Sequence, residues 1–216
     1  MRDQRLEKKF VYDHGDVSYK YFLMSGMFKE VYPKRIVNSI YLDTDAYQDV
    51  WDNINGFGIR KKIRIRWYDK INNSKVFLEV KKKIGFVTQK KVEELGKFKN
   101  LDELDFFIKE EKYIKTNLLL SKKINLKKTL LIQYQRNYYE LPDNKLRVTV
   151  DNNLKIYQNF SSNFINLDKT IIELKYDVKH SSFVNNFIKT HYLSNRNQKF
   201  SKYVNSFIEI NENGYI

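Results

Sequence analysis

The sequence predicts an α+β fold, an antiparallel sheet or barrel with helices around it, and three observations support this. Polar and apolar residues alternate with a period of two in six segments, which is typical of half-buried strands. Apolar residues at helical spacing recur in other segments. With 216 residues, 42% of them hydrophobic, the chain can bury a core and is too apolar for a disordered polycation. We expect one domain over residues 1–216.

Each of the six predicted strands carries charged side chains on one face. The clearest is 59–68, where cations at positions 60, 62, 64 and 66 alternate with mostly apolar residues. Turn-forming residues at 72–73 and 143–144 predict hairpins between neighbouring strands. The remaining predicted strands are 5–9, 76–83, 131–139, 146–151 and 171–177.

Five other segments predict helices, because their apolar residues are helically spaced or because serine can cap their first turn. The predicted helices are 18–30, 45–55, 101–120, 181–193 and 201–209.

The composition excludes several kinds of active site. Without cysteine there is no disulfide, thiolate metal site or cysteine nucleophile. The only histidines, His14, His180 and His191, lack ligand spacing, so we interpret them as surface or structural residues and disfavour a zinc site or a Ser-His-Asp relay. The seven glycines form no glycine-rich phosphate loop. No segment has the length of a membrane span or the pattern of a signal peptide, so we expect a cytoplasmic protein.

The charged strand faces have two interpretations. Any one of them could be the solvated face of an ordinary amphipathic strand. Six faces that combine Arg or Lys with Glu or Asp instead favour one shared surface, which would point inward if the sheet closed into a barrel. A charged interior is stable only when it is wet or holds a counter-charged ligand. Because the net charge is +14 and cations outnumber carboxylates on these faces, we expect a polyanion bound with a metal ion.

Eight short motifs follow one another along the chain. They are RLEKKF at 5–10, NSIYLDT at 38–44, IRIRWY at 63–68, FLEVK at 77–81, YQR at 134–136, LRVTVD at 146–151, IELKY at 172–176 and FSKY at 200–203. In this order they resemble the VTC domain, the polyphosphate polymerase domain of the vacuolar transporter chaperone, which belongs to the triphosphate tunnel metalloenzymes. The resemblance extends from residue 5 to about residue 205.

The resemblance implies a closed antiparallel barrel whose interior binds triphosphate or polyphosphate together with Mn²⁺ or Mg²⁺. It implies an enzyme that moves the terminal phosphoryl group of ATP onto a phosphate chain. Glu173 would hold the metal, with Glu7 and Glu79 as second-rank ligands. The implied catalytic residues are Arg64, Arg66, Lys81, Arg136 and Glu173. The implied phosphate-binding residues are Lys9, Arg64, Arg66, Lys81, Lys90, Lys91, Arg136, Arg147, Lys175 and Lys202.

Two departures from the family pattern bear on activity. Arg5 stands where the wider superfamily has a glutamate, which fits the VTC branch and argues against an ordinary triphosphate hydrolase or adenylate cyclase. Gln89, Lys90 and Lys91 occupy the places of a Lys-x-Arg triplet. Losing the lysine and the bidentate arginine predicts weaker binding of the terminal phosphate.

Alternatives remain at the level of single residues and of the whole protein. Glu173 could be the ion-pair partner of an interior arginine, and we expect Asp43 and Ser39 to brace the fold rather than touch substrate. Tyr134, Tyr138 and Tyr203 are expected in packing or supporting roles. A tunnel hydrolase and a non-catalytic polyphosphate-binding module share the same site. A nucleic-acid binder ranks low, because the strongest cations lie on faces expected to point inward. By family analogy alone, a membrane protein is a possible partner.

Overall fold

The computed structural model describes residues 5–13, 15–24, 27–85, 87–110, 126–158, 163–193 and 197–212. A single turn of 3₁₀ helix, Val178–His180, precedes the fourth α-helix. In chain order the elements are β1 Arg5–Asp13, α1 Lys20–Leu23, β2 Lys29–Asp43, α2 Gln48–Ile54, β3 Ile59–Tyr68, β4 Ser74–Ile84, β5 Val87–Phe98, α3 Leu101–Glu110, β6 Lys127–Glu140, β7 Arg147–Gln158, β8 Ile165–Leu167, β9 Lys169–Asp177, α4 Ser181–Thr190 and α5 Lys202–Glu212.

The strands form one sheet in the order β1-β9-β7-β6-β2-β3-β4-β5, with β8 paired to β7. The registers of β1–β9, β2–β3, β3–β4, β4–β5 and β7–β9 are antiparallel. The predicted α+β class and antiparallel sheet are therefore confirmed. Among the described residues the order starts at β1 and ends at β5, and no pairing joins these two strands into a ring.

The chain divides into two compact units, each assembled from separate segments. The first unit comprises Met1–Arg35, Tyr134–Leu154 and Asn166–Ser201. The second comprises Ile36–Gln133, Lys155–Ile165 and Lys202–Ile216. Because neither unit is a continuous stretch of sequence, the single domain over 1–216 stays a prediction.

Each unit has its own hydrophobic core, built from the apolar strand faces that the alternation predicted. In the first unit, Phe10, Val148 and Ile172 from β1, β7 and β9 pack with Val184 and Phe187 of α4. The core of the second unit contains Ile40, Ile63, Ile65, Leu78 and Leu104, which come from β2, β3, β4 and α3. Burying one face of each strand leaves its charged residues together on the other face.

The six predicted strands are all present, and three others were missed. The prediction of a helix over 18–30 was wrong in extent, because α1 covers only Lys20–Leu23 and β2 begins at Lys29. The first eight residues of β2 are all exposed, so no half-buried alternation marks them. The same is true of β5, whose first six residues are exposed. The short strand β8 was also missed.

The other helix and turn predictions agree in position with the structure. Helices occur at Gln48–Ile54, Leu101–Glu110, Ser181–Thr190 and Lys202–Glu212. The part of the predicted 101–120 helix beyond residue 110 lies outside the described residues, as does His14. Asn73 and Asn144 have φ of 54° and 58°, the left-handed conformation that turns of this kind require.

Candidate functional site

Three cations surround one carboxylate in the second unit. Arg64 on β3 lies opposite Glu79 on β4, and its Nε donates to Glu79 Oε2 at 2.7 Å. Lys90 on β5 donates from Nζ to Glu79 Oε1 at 2.7 Å. Arg66 Nη1 lies 3.7 Å from Glu79 Oε2. We call these four residues the Glu79 cluster, and its formal charge is positive because three cations share one carboxylate.

Neighbouring strand residues orient the two arginines. Arg66 lies opposite Ser39 on β2, and its Nε donates to Ser39 Oγ at 3.1 Å. Arg64 lies opposite Tyr41, and its Nη1 contacts Tyr41 Oη at 3.2 Å. Side chains two residues apart on a strand share a face, so both arginines are presented in parallel.

Burial and charge set the protonation of the cluster. Burial alone would raise the pKa of Glu79, but Arg64, Arg66 and Lys90 outweigh it and lower that pKa to about 2. Burial lowers the pKa of Lys90, although Glu79 opposes the shift. Glu79 is therefore an ionised counter-ion at neutral pH. Its cationic surroundings repel a divalent metal, which argues against the predicted second-rank metal role of Glu79.

The register of β4 and β5 decides which predicted lysines share the face of the Glu79 cluster. Lys81 lies opposite Lys90, on the face that carries Glu79. Lys91 and Gln89 lie opposite Val80 and Lys82, which point to the other face because strand residues alternate. Lys91 therefore lies on the opposite strand face from Lys81 and Lys90, and its role in phosphate binding stays a prediction. Of the three residues at positions 89–91, Lys90 contacts Glu79, and Gln89 lies outside the Glu79 cluster.

A buried network of hydrogen bonds and stacked rings supports Tyr41, which contacts Arg64 of the Glu79 cluster. Asp43 accepts hydrogen bonds from the backbone N–H groups of Asp49, at 3.0 Å, and Val50, at 3.2 Å, and so holds the start of α2. Tyr203 of α5 donates from Oη to Asp43 Oδ2 at 2.9 Å. The Tyr203 ring stacks on Tyr41 with centroids 4.6 Å apart. Tyr41 was missed as a site residue, although it belongs to the same motif as Asp43.

The first unit contains a different arrangement, an ion pair between one arginine and one buried aspartate. Arg136 on β6 donates from Nε to Asp151 Oδ1 at 2.5 Å and from Nη2 to Asp151 Oδ2 at 2.6 Å. Burial would lower the pKa of Arg136, but Asp151 raises it well above its ordinary value. We call these two residues the Arg136 pair. Its charges cancel, so Arg136 has less cationic charge to offer a phosphate than the sequence prediction implied.

Oxygen atoms suited to a metal occur beside the Arg136 pair in the first unit. Glu173 on β9 is buried, lies opposite Thr149 on β7 and Lys9 on β1, and has Lys175 Nζ 3.8 Å from its Oε2. Thr149 Oγ1 is buried and has no hydrogen-bond partner among the described residues. A carboxylate and a neutral oxygen are the ligands that Mg²⁺ and Mn²⁺ prefer. Glu7 shares this strand face, opposite Lys175.

These residues fit a metal only with help from substrate or water. Among the described residues no group of three or more His, Asp or Glu side chains could enclose an ion. A hard cation commonly binds through one or two carboxylates and completes its shell with phosphate and water. Glu173, supported by Thr149, meets that requirement.

The other predicted phosphate ligands have individual positions. Lys9 Nζ donates to the backbone oxygen of Phe200 at 2.9 Å. Arg147 is exposed, and its Nε donates to Glu140 Oε1 at 2.8 Å. Lys202 is the first residue of α5, in the second unit. None of these three belongs to the Glu79 cluster.

The nine-stranded antiparallel sheet with its helices has the architecture of the triphosphate-tunnel fold. Similar solved structures support this fold. The PH1819 protein of Pyrococcus horikoshii is 14% identical, with a TM-score of 0.57 over 95% of this chain and 99% of that chain. A candidate adenylate cyclase from Bacillus halodurans is 14% identical, with a TM-score of 0.55 over 93% and 95%. A Hippeastrum protein described as a candidate adenylyl cyclase with dominant triphosphatase activity is 14% identical, with a TM-score of 0.52 over 98% and 97%.

The chain belongs to the VTC domain family, whose model matches residues 5–209. The search of curated proteins found no match. Among the described residues no helix is both long enough and apolar enough to span a membrane.

Proposed function

We propose that this protein is a triphosphate-tunnel enzyme of the polyphosphate polymerase type, which transfers the terminal phosphoryl group of ATP to a polyphosphate chain. The observation that carries the proposal is the Glu79 cluster, where Arg64, Arg66 and Lys90 share one carboxylate. The excess positive charge suits an anionic phosphate, and family membership selects triphosphate or polyphosphate as the anion.

Phosphoryl transfer requires mainly that the phosphates be positioned and their developing charge neutralised. Arg64 and Arg66 are planar, permanently charged and already oriented by Tyr41 and Ser39, so they lose little freedom when they bind phosphate oxygens. Lys90 adds a third donor beside them. Glu79 keeps the arginines parallel in the absence of substrate.

The chemistry also calls for a divalent cation. When bound, Mn²⁺ or Mg²⁺ would neutralise phosphate charge as a Lewis acid. Glu173 would be its protein carboxylate ligand, with Thr149 Oγ1 as a neutral oxygen beside it. Glu173 needs no proton transfer in this role, and we assign no general base.

Hydrolysis of triphosphate or short polyphosphate is the second candidate. It is favoured by the likeness to the Hippeastrum protein, which is described as having dominant triphosphatase activity. The two activities differ in whether the acceptor is a phosphate chain or water.

The test is to incubate the full chain with ATP and Mn²⁺, with and without a polyphosphate primer, while ADP, free phosphate and chain products are followed together. Chains that grow as ADP accumulates support the polymerase. Free phosphate without chain growth, released from ATP or from the primer, supports the hydrolase. Triphosphate binding without turnover would leave a binding module and overturn both enzymatic candidates. A membrane protein that receives the product is a further proposal from family analogy.

A further inference from the structure

Four apolar side chains are exposed at one end of β3, β4 and β5. The exposed fractions are 54% for Phe57, 63% for Ile59, 44% for Ile84 and 60% for Val87. Ile59 lies opposite Ile84, which lies opposite Val87, so these three share one rung and one face. The turn that carries Phe57 is joined to this end, because Gly85 N donates to Gly58 O at 2.8 Å. We call these four residues the apolar tip. Clustered exposed apolar side chains are typical of surfaces that bind a protein or a membrane.

The next three rungs place cation opposite cation. Their β3–β4 pairs are Arg60 with Lys83, Lys61 with Lys82, and Lys62 with Lys81. We call these residues the cationic rungs. Segments 59–62, 81–84 and 87–90 contain no Asp or Glu. Lys61 Nζ lies 3.9 Å from Asp49 Oδ1, and rows of cations that face one another favour an anionic partner.

The cations lie on both faces of the strands. Lys61 and Lys82 share the face of Ile59 and Ile84, while Arg60 and Lys83 lie on the other face, because side chains alternate. A protein partner seated on one face would contact only one of these sets. If this end of the sheet entered a layer of lipid headgroups, the headgroups would surround both sets of cations.

We propose that the apolar tip inserts into the interface of an anionic lipid membrane and that the cationic rungs bind the surrounding headgroups. Shallow insertion of apolar side chains and attraction of Lys and Arg to anionic lipid are the two contributions that hold peripheral proteins on membranes. This inference does not depend on phosphoryl transfer, and among the cationic rungs it shares only Lys81 with the residues predicted to bind phosphate.

The test is cosedimentation of the full chain with vesicles of phosphatidylcholine alone, or containing about one third phosphatidylserine. We expect binding to the phosphatidylserine vesicles that weakens as salt is raised. The double substitution Ile59→Ser/Val87→Ser should reduce this partitioning by about tenfold or more, because both apolar anchors are lost. Phe106→Ser, which removes a side chain 66% exposed on α3, is the matched control and should bind as the wild type does.

Three results would overturn the proposal: no binding to phosphatidylserine vesicles, equal binding by the tip variant, or the same loss in Phe106→Ser. A tip variant that binds vesicles normally but changes the oligomeric state would show that a second copy covers the tip. If the double variant does not fold, Lys82→Glu provides an independent test. It should lose about tenfold in partitioning through charge reversal next to the tip, while triphosphate affinity and melting temperature stay at wild-type values.

Discussion

The Glu79 cluster and the Arg136 pair are both built from charged side chains on alternating strand positions, yet their balance of charge differs. In the cluster, three cations share Glu79, and the half-exposed Lys90 reaches it from β5. In the pair, Arg136 and Asp151 neutralise one another through two hydrogen bonds, and Asp151 is fully buried. A cation on a predicted binding face is therefore a candidate to bind phosphate only if the neighbouring carboxylates do not neutralise its charge. We therefore expect the cluster to govern phosphate affinity and the pair to govern stability.

The largest expected effect is on ligand affinity at the Glu79 cluster. Replacing both arginines, Arg64→Ala/Arg66→Ala, should weaken triphosphate binding by about 3–6 kcal/mol, because each charge-assisted hydrogen bond contributes about 1.5–3 kcal/mol. Isothermal titration calorimetry measures the loss. Lys75→Ala/Lys97→Ala removes two exposed cations from the same unit and should cost little. Similar losses in both double variants would mean that net charge, not the cluster, binds the anion.

Substitutions in the Arg136 pair should change the free energy of unfolding. Arg136→Met leaves Asp151 buried without its partner and should lower the free energy of unfolding by about 3–5 kcal/mol. The double variant Arg136→Met/Asp151→Leu should recover most of that loss, because it removes both charges. Urea unfolding measures the two changes. If Arg136→Met were stable but failed to bind triphosphate, the pair would be a ligand site and the contrast with the cluster would be lost.

Acid should weaken the fold through Glu79. The folded-state pKa of Glu79 is lowered from 4.5 to about 2. Its ionised form therefore contributes stability that is complete above the unfolded value and is lost as pH falls towards the folded value. This contribution is about 3 kcal/mol as an order of magnitude. Unfolding free energies measured between about pH 5 and pH 2 should fall less steeply in Glu79→Gln than in the wild type. An identical slope in both proteins would show that other carboxylates carry the acid sensitivity.

The smallest change in binding free energy is expected at the oxygen atoms beside the Arg136 pair. Glu173→Gln should remove metal-dependent turnover while triphosphate binding is largely kept, and Thr149→Val should weaken Mn²⁺ binding by about 1 kcal/mol through loss of one neutral ligand. Paramagnetic resonance of Mn²⁺ bound to the full chain gives a readout besides activity. Loss of stability in Glu173→Gln with unchanged Mn²⁺ binding would instead assign Glu173 to ion pairing with cations such as Lys175.

Several features were predictable because they depend on local sequence. Alternation located Arg64 and Arg66 on one face, and asparagine-rich segments located the turns at Asn73 and Asn144. The exposed strands β2 and β5 gave no such signal at their starts, because a strand exposed on both faces needs no apolar alternation. Lys91 was grouped with Lys90 by motif, but a one-residue step along a strand reverses the face.

The sequence by itself determined which residues alternate, and therefore which charged side chains share a strand face with one another. Only the tertiary structure decided which of them are neutralised. Glu79 meets Arg64 from 15 residues away, and Tyr203 meets Asp43 from 160 residues away. Periodicity is a property of one strand, whereas charge balance depends on register between strands and on helices that pack against them. For that reason Arg66 and Arg136, which look equivalent in the sequence, belong to sites of opposite character.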